Sequence, residues 1–275
     1  MTRSDIDRLI DWFATWCHSY TRDAGDDDRR NYLLKEVHTH RVSDAAVAIA
    51  TELGCNSTDL LLAEAIGLLH DVGRFPQYRE YRTFKDADSV NHAARGVRVI
   101  AEEGILAGLP PEEHRLIIRS VALHNVYRMP GFLGEREDYF LRLIRDADKL
   151  DIWRVFLEYY ALPEEERASA VGLGFPDHPD CSPEILGAIA DGEMINLVNV
   201  KTLNDFKLLQ LSWIFDLNFA PTRRLFRERG YLEAFAAALP SDEEVRNTLA
   251  VIESYLDRTI CATLNVMSGE PSWIR

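Results

Sequence analysis

The sequence predicts an all-α fold, on the basis of three observations. Nearly every periodic segment repeats its apolar residues at the three-to-four-residue spacing of a helix. Helix-start and helix-stop residues bracket most of these segments. No stretch shows a convincing alternation of apolar and polar residues, which is the pattern of a half-buried strand. We therefore expect one all-α domain over residues 1–275.

The first predicted helices are recognised by their buried faces and their end signals. Ser4 is suited to cap a first helix because Asp7 follows three residues later. The charged stretch Asp23–Arg30 then predicts a loop, and the polar, aromatic stretch Pro76–Asp88 predicts irregular structure. Gly73 is expected to stop the helix that precedes it, because glycine is favoured just past a helix end. The helices predicted in this half run from about Tyr32 to Leu53, from Asn56 or Ser57 to the residue before His70, and from about Ser89 to Glu103.

In the second half of the chain, prolines and capping residues mark the helix starts. Proline is favoured at the first helical position, and a serine three residues before a glutamate forms a capping box. Met129–Gly134 is predicted to be a turn and Leu162–Ser182 a loop. The helices predicted here run from Pro111 to His124, from about Tyr139 towards Tyr160, from Ser182 and Pro183 in several pieces to about Gly230, and onwards from a capping box of Ser241 and Glu244.

Composition argues against two classes of partner. The chain has 45 acidic and 31 basic residues, a net charge of −14, whereas a nucleic-acid-binding surface should be basic. No apolar run approaches the roughly 18 residues of a membrane span. The N-terminus, MTRSDIDRLIDW, is acidic and amphipathic, unlike a signal peptide. We therefore expect a cytoplasmic protein with neither a nucleic-acid nor a membrane partner. Its scattered cysteines, which form no CxxC pair, are then expected to be reduced thiols: Cys17, Cys55, Cys181 and Cys261.

A histidine and an aspartate stand side by side where an apolar helical run closes. The run LLLAEAIGLL leads directly into His70 and Asp71. Imidazole and carboxylate both bind divalent metals, and adjacent residues can share one ion at the end of a helix. The dipeptide alone is weak evidence for a metal site, so the prediction depends on whether the chain supplies further inward-facing ligands.

Two histidines upstream compete for the role of a further ligand. His38 lies four residues before Val42 and seven before Ala45, so it shares the apolar face of that helix. His40 lies two residues from Val42 and points elsewhere. The helical spacing therefore predicts that His38 is the ligand and that His40 is not.

The same test places more side chains inward. His70, His92 and His124 each lie three, four or seven positions from an apolar residue of their own helix. Asp148 is more inward than Asp146 by only a small margin, so spacing leaves both open. A single histidine on such a face is more often a hydrogen-bonded core residue than a ligand. Four of them, with two aspartates, on separate helices instead predict a metal site. Three histidines fail the test or lie in loops and are expected at the surface: His18, His114 and His178.

These residues resemble the HD superfamily of metal-dependent phosphohydrolases. The pattern of that family is a histidine in an H-[ST]-x-R-V start, then H-D, then a distant aspartate. Here it reads HTHRV from His38, His70-Asp71, and Asp148 in ADKL, which favours Asp148 over Asp146. HDVGRFPQYREYRTFKDADSVNHAARG and SWIFDLNF are similar to one bacterial branch. The resemblance implies a helical bundle around the metal site, with an HD core at about residues 32–160 and a C-terminal helical extension at about residues 183–265.

The resemblance also implies a binuclear site and a reaction. One metal would be held by His38, His70, Asp71 and Asp148; Asp71, the catalytic carboxylate, would bridge to a second ion on His92 and His124. The cofactor would be two divalent metal ions, with manganese, iron, magnesium, nickel and cobalt all open. The implied activity is hydrolysis of a small phosphorylated substrate, a nucleotide or sugar phosphate, by a metal-activated water. The glutamate of nucleotidase-type members and the GYP signature of cyclic-di-GMP phosphodiesterases are missing.

Cations that hold the phosphate must come from the protein. Arg74 and Lys149 are the predicted substrate-binding residues, and the cluster Arg79, Arg82 and Lys85 is equally well explained as a solvated loop. Two other functions stay open. Some HD-fold proteins use the same ligand pattern for a di-iron centre that oxygenates a small polyol or phosphonate, and a regulatory module could bind a nucleotide without turnover. A homodimer also stays open.

Overall fold

The described part of the chain folds into helices, turns and loops, as predicted. The computed structural model describes residues 1–264, apart from the side chains of residues 164 and 262–264. Within that range there is no strand, and residues 265–275, part of the predicted domain and extension, lie outside it. The helices are α1 (Arg3–Thr21), α2 (Asp26–Glu52), α3 (Ser57–Leu69), α4 (Arg74–Tyr81), α5 (His92–Glu103), α6 (Pro111–Leu123), α7 (Glu135–Ala161), α8 (Pro183–Ala190), α9 (Leu203–Ser212), α10 (Ala220–Glu228), α11 (Tyr231–Ala238) and α12 (Glu243–Leu264).

The described chain divides into two compact units. The first contains Met1–Ile152 and Leu162–Gly172, and therefore α1 to α6 with most of α7. The second contains Trp153–Ala161 and the chain from Leu173 onward. The prediction of a single domain stays a prediction. No described helix is both long enough and apolar enough to span a membrane.

In the first unit, α2 and α3 pack closely side by side. Their facing positions carry small or branched residues, and Gly67 of α3 lies against the backbone of Ser43 of α2. A Cβ at Gly67 would lie 2.5 Å from the Ser43 Cα, closer than atoms can approach. The hydroxyl of Ser43 donates to the Glu64 carbonyl at 2.9 Å across the same contact. This packing fixes the position of the α2 face that carries His38 relative to the end of α3.

The second unit is built around a buried tryptophan. Trp153 is fully buried, and its ring lies 4.5 Å from the Phe226 ring, centroid to centroid. Its indole N–H donates to the Gln210 carbonyl at 2.9 Å, so burial leaves no unsatisfied donor on the ring. Phe206 of α9 packs edge-to-face against Phe156 in the same unit.

The first two helices begin further upstream than predicted, because the residues that stabilise their N-termini precede the predicted starts. The first helix is capped by Thr2, not Ser4: Thr2 and Asp5 form the capping box. The second helix begins at Asp26, so the predicted loop at Asp23–Arg30 is helical from that residue. Three consecutive aspartates occupy its first turn, where the helix dipole favours negative charge.

The stretch predicted to be irregular contains a helix of its own. Pro76 lies in the first turn of α4, where a missing N–H costs little. Phe75 and Tyr78 lie three residues apart and are both buried, and the Phe75 ring stacks on Tyr32 at 6.1 Å. Tertiary packing therefore stabilises a helix that its own composition does not suggest.

The last helix, α12, is also capped differently from the prediction. Asp242, not Ser241, accepts the N–H of Val245 at 2.9 Å.

Gly73 does not stop α3, which already ends at Leu69. Its φ of −70° is ordinary right-handed backbone, and it precedes α4 directly. A Cβ there would lie 2.2 Å from the His92 carbonyl oxygen and 2.4 Å from the Gly96 nitrogen. Glycine is therefore needed at this position so that the turn after α3 can lie against the start of α5.

Gly67→Ala should destabilise the first unit, because the added methyl overlaps the α2 backbone. We expect the free energy of unfolding to fall by about 1–3 kcal/mol, typical of an overpacked contact, measured by chemical denaturation. Gly187→Ala in α8 is the matched control: its Cβ would meet nothing within 4 Å, so the variant should be unchanged or slightly more stable. A Gly67→Ala protein as stable as the wild type would contradict the close approach of α2 and α3.

Candidate metal centre

The structure brings the six predicted ligand side chains together inside the first unit. Each comes from a different part of the helical framework. His38 lies in the middle of α2, and His70 and Asp71 form the turn after α3. His92 is the first residue of α5, His124 follows the last residue of α6, and Asp148 lies on α7. All but Asp148 are almost completely buried, and the Asp148 side chain is 16% exposed.

One cluster is formed by His38, His70 and the two aspartates. The Nε2 atoms of His38 and His70 lie 3.4 Å apart. Oδ2 of Asp71 is 3.5 Å from the first Nε2 and 3.7 Å from the second. Oδ1 of Asp148 is 3.1 Å from Nε2 of His38 and 3.7 Å from Nε2 of His70. Two ligands about 2.1 Å from the same ion are roughly 3.0–3.5 Å apart, which is close to this spacing.

The second cluster uses the other oxygen of Asp71. His92 and His124 bring their Nε2 atoms to 3.0 Å of each other. Oδ1 of Asp71 lies 3.5 Å from Nε2 of His92 and 3.8 Å from Nε2 of His124. Asp71 is therefore shared: its Oδ2 faces one imidazole pair and its Oδ1 the other. A carboxylate placed in this way is suited to bridge two ions.

The far nitrogen of every imidazole has an acceptor, which orients the ring. Nδ1 of His70 donates to the Gly67 carbonyl at 2.7 Å, and Nδ1 of His124 to the Val121 carbonyl at 2.8 Å. The other two rings use carboxylates: His38 Nδ1 lies 2.8 Å from Oδ2 of Asp151, and His92 Nδ1 lies 2.7 Å from Oδ2 of Asp86. These contacts assign the proton to Nδ1, so each Nε2 presents a lone pair to the centre of its cluster.

Burial sets the charge state of the second cluster. Desolvation, together with the neighbouring imidazoles of His92 and His70, lowers the pKa of His124 to about 3. Desolvation and the Arg74 charge also lower the pKa of His92. Both rings are therefore neutral at pH 7, the state in which imidazole binds a metal.

The two aspartates stay ionised in spite of burial. Desolvation acts to raise the pKa of Asp71, but Lys35, His70 and Arg74 outweigh it and hold this pKa well below its usual range. His38 and His70 do the same for the pKa of Asp148. His38 itself is subject to desolvation and to the Lys35 charge, yet its contacts with Asp148 and Asp151 raise its pKa.

The donor set fits a divalent metal. Among the described residues, Oδ1 of Asp148 is buried and accepts no well-directed hydrogen bond. Two pairs of imidazole lone pairs also face each other, which is unfavourable unless a cation or proton lies between them. Nitrogen and carboxylate oxygen together suit zinc, iron, manganese and related ions. His38, His70, Asp71 and Asp148 would hold one ion, and Asp71, His92 and His124 a second.

The choice of histidine follows from the helical face, as expected. His38 is buried in the cluster, whereas His40 is exposed and packs its ring against Phe13. His18, His114 and His178 are exposed, as predicted. The ligand roles themselves stay predictions.

A comparison with known protein families matches this core. Residues 36–153 fit the family model of the HD domain, and all six side chains of the two clusters fall within that range. We therefore assign residues 36–153 to the HD domain family. No curated protein and no solved structure matches it. HD domains are in general metal-dependent hydrolases, typically acting on phosphoesters, and the His/Asp clusters are compatible with that chemistry.

The cations predicted to bind a substrate differ in how close they lie to the two ligand clusters. Arg74 lies beside the clusters, its Nε 3.4 Å from Oδ1 of Asp71. Lys149 is buried on α7. The other three have partners elsewhere: Arg79 lies over the Tyr20 ring, Arg82 pairs with Asp28, and Lys85 pairs with Asp88. These three therefore lie outside both clusters, and the predicted loop is wrong for Arg79, which lies on α4.

Several residues of the site were missed by the sequence interpretation. Lys35 lies three residues before His38, and its Nζ is 2.8 Å from Oδ2 of Asp71. Asp151 lies three residues after Asp148, so helical spacing could have found both. Asp86 reaches His92 from a short 3₁₀ turn, and no local pattern marks it. Arg145 donates to the carbonyls of His124 and Val126, which fixes the end of α6 beside α7.

His38→Ala should abolish metal binding at the first cluster, whereas His40→Ala should not. The first removes a buried Nε2 donor; the second removes an exposed ring outside both clusters. Elemental analysis after dialysis against manganese or iron measures the difference. Equal metal content in the two variants would show that the helical-face assignment is wrong.

Asp86→Asn should weaken the second cluster. Asp86 holds the His92 ring and also accepts from Arg74, Gln77 and Asn125. Loss of such an orienting carboxylate typically costs about 10- to 100-fold in metal affinity. Titration with manganese should show a weakened second equivalent and an unchanged first. The exposed Asp88→Asn is the control, and equal titration curves for the two variants would contradict the role of Asp86.

Proposed function

We propose that this protein is a metal-dependent phosphohydrolase that cleaves a phosphoester bond of a small phosphorylated molecule, a nucleotide or sugar phosphate. The observation that carries the proposal is the carboxylate of Asp71. Its two oxygens are divided between two pairs of inward-facing imidazoles, and a guanidinium lies beside it. This arrangement suits a pair of divalent ions next to a phosphate-binding cation.

The aspartates and the histidines of the site have different roles in this reaction. Bound divalent metal supplies a Lewis acid and lowers the pKa of a water ligand from 15.7 to roughly 7 in favourable cases. Asp71 and Asp148 provide the negative charge that holds the cations. The four histidines provide nitrogen ligands whose rings are fixed by their Nδ1 hydrogen bonds. Because these partners lock the rings, little reorganisation is needed when charge develops on the substrate.

Arg74 is the cation placed to meet the phosphoryl group. Its Nη1 is fixed by three acceptors, the Gln77 side chain, the Phe84 carbonyl and Asp86, at 2.8, 2.6 and 3.0 Å. Its Nη2 has no hydrogen-bond partner among the described residues, and the side chain is 15% exposed. A guanidinium held rigidly by one nitrogen, while the other keeps its hydrogen-bond donors, is suited to bind phosphate oxygen.

The local charge offsets the acidic surface. With a net charge of −14 the chain as a whole repels a phosphate, so the field of the site must attract it. Arg74, Lys35 and bound divalent ions concentrate positive charge around Asp71. An uncharged polyol would gain nothing from these groups, which favours a phosphorylated substrate.

The proposal is tested by an anaerobic assay of metal-loaded protein against nucleotides, sugar phosphates and para-nitrophenyl phosphate. We expect release of phosphate from at least one of these substrates and its loss in Asp71→Ala, which removes the shared carboxylate. Asp44→Ala, an exposed aspartate on α2, is the control and should retain activity. No product anywhere in the panel, together with oxygen uptake by an iron-loaded sample, would replace hydrolysis by the di-iron oxygenase function. Nucleotide binding without turnover would indicate a regulatory module.

A further inference from the structure

A lysine that neither the ligand pattern nor the family match assigns lies against the central carboxylate. Lys35 is on α2, one residue before the segment that fits the HD domain. Its Nζ lies 2.8 Å from Oδ2 of Asp71, and its side chain is only 13% exposed. Lysine is rarely so buried unless it pairs or binds something.

Lys35 and Arg74 contact the same carboxylate from its two oxygens. Lys35 approaches Oδ2, whereas Nε of Arg74 lies 3.4 Å from Oδ1. Phe84 links the two cations: its ring centroid is 5.2 Å from Nζ of Lys35 and 5.9 Å from the guanidinium carbon of Arg74. The three side chains therefore form one cationic rim, defined here as Lys35, Arg74 and Phe84, beside the two ligand clusters.

Both cations of this rim have hydrogen-bond donors to spare. An ammonium has three donors, and only the contact with Asp71 uses one of them among the described residues. Nη2 of Arg74 is likewise without an acceptor in the described part of the chain. Partly exposed donors of this kind are available to an anion that enters the site.

Charge balance of Asp71 does not require Lys35. Arg74 already faces this carboxylate, and divalent ions bound by the clusters would neutralise it further. An additional ammonium next to those ions is repulsive unless an anion joins the group. A positive charge kept at such a position is therefore better explained by a negatively charged substrate than by the carboxylate alone.

We propose that Lys35 is a substrate-binding residue that, with Arg74, holds the terminal phosphate of a phosphomonoester; this inference rests on the phosphohydrolase function proposed above. A terminal phosphate carries about −1.5 to −2 charge near pH 7 and three acceptor oxygens. A diester carries one charge and fewer free oxygens, so it matches two cations and bound metal less well. The cationic rim thus selects phosphomonoesters over diesters.

The test compares Lys35→Gln with Lys35→Arg and with Lys85→Gln in the full-length, manganese-loaded protein. Lys85 belongs to the loop that precedes His92, but it pairs with Asp88 and does not touch either cluster. Calorimetry with inorganic phosphate as the probe measures binding without turnover, and elemental analysis measures metal content.

Lys35→Gln should weaken phosphate binding about 10- to 100-fold, the usual effect of removing a charged hydrogen-bond donor, while metal content stays at the wild-type value. Lys35→Arg should recover most of the loss, and Lys85→Gln should bind phosphate like the wild type. With para-nitrophenyl phosphate, the Lys35→Gln variant should show a raised KM and a smaller preference over bis-para-nitrophenyl phosphate.

Two results would overturn the inference about Lys35. Phosphate affinity unchanged in Lys35→Gln would show that the ammonium does not contact the anion. Metal lost together with phosphate would instead make Lys35 a positioning residue for Asp71. Either result leaves hydrolysis by the wild type intact, so the phosphohydrolase function would stand. Conversely, a wild-type protein that binds phosphate through Lys35 but hydrolyses no ester would refute the phosphohydrolase function and keep the assignment of Lys35. A wild-type protein that binds no phosphate would refute both proposals.

Discussion

The carboxylate of Asp71 is the group on which the rest of this site depends. It lies at the point where α2, α3, α5 and α6 converge, almost completely buried, with imidazoles on both sides and a cation against each oxygen. Taking a carboxylate out of water costs several kcal/mol, and that cost is met here only because positive and polar groups surround it. Burying such a cluster of polar groups lowers the free energy of unfolding, so the burial of the apolar helical faces around it must offset that loss.

Helix ends, rather than helix middles, supply most of the ligand set. His70 and His124 each occupy the position just after a helix and donate Nδ1–H to the carbonyl three residues earlier. Those carbonyls belong to the last turn, where no intrahelical N–H is left to satisfy them. The same hydrogen bond therefore caps the helix and aims Nε2 into the site. His92 instead lies at the start of a helix: Asn91 caps α5, and Asp86 holds the His92 ring.

The site also concentrates cations in a protein whose surface is acidic. Lys35, Arg74 and Arg145 all lie within the first unit close to the ligand side chains, and each is fixed by hydrogen bonds to that site or to its supports. Because the overall charge is −14, a phosphate would gain affinity only where these cations act at short range. The exclusion of nucleic acid and the preference for a small anion therefore stay predictions that rest on this distribution of charge.

The sequence by itself determined the all-α class, most helix positions and the inward face of His38, because apolar periodicity of three to four residues reports which side of a helix is buried. It also pointed to the HD pattern, since His70-Asp71 and Asp148 stand in recognisable local contexts. Only the tertiary structure decided that α4 is a helix, because Phe75 and Tyr78 are stabilised by packing against α1 and α2 rather than by local propensity. It alone brought Asp86 to His92, because Asp86 lies in a short 3₁₀ turn that no local pattern marks. It also brought Lys35 to Asp71, a contact between α2 and the end of α3 that helical spacing does not show, although spacing places Lys35 on the same face as His38. Gly73 is a second example. The sequence shows that a glycine follows the helix, but the contact with the start of α5 that requires a glycine there exists only in the folded protein.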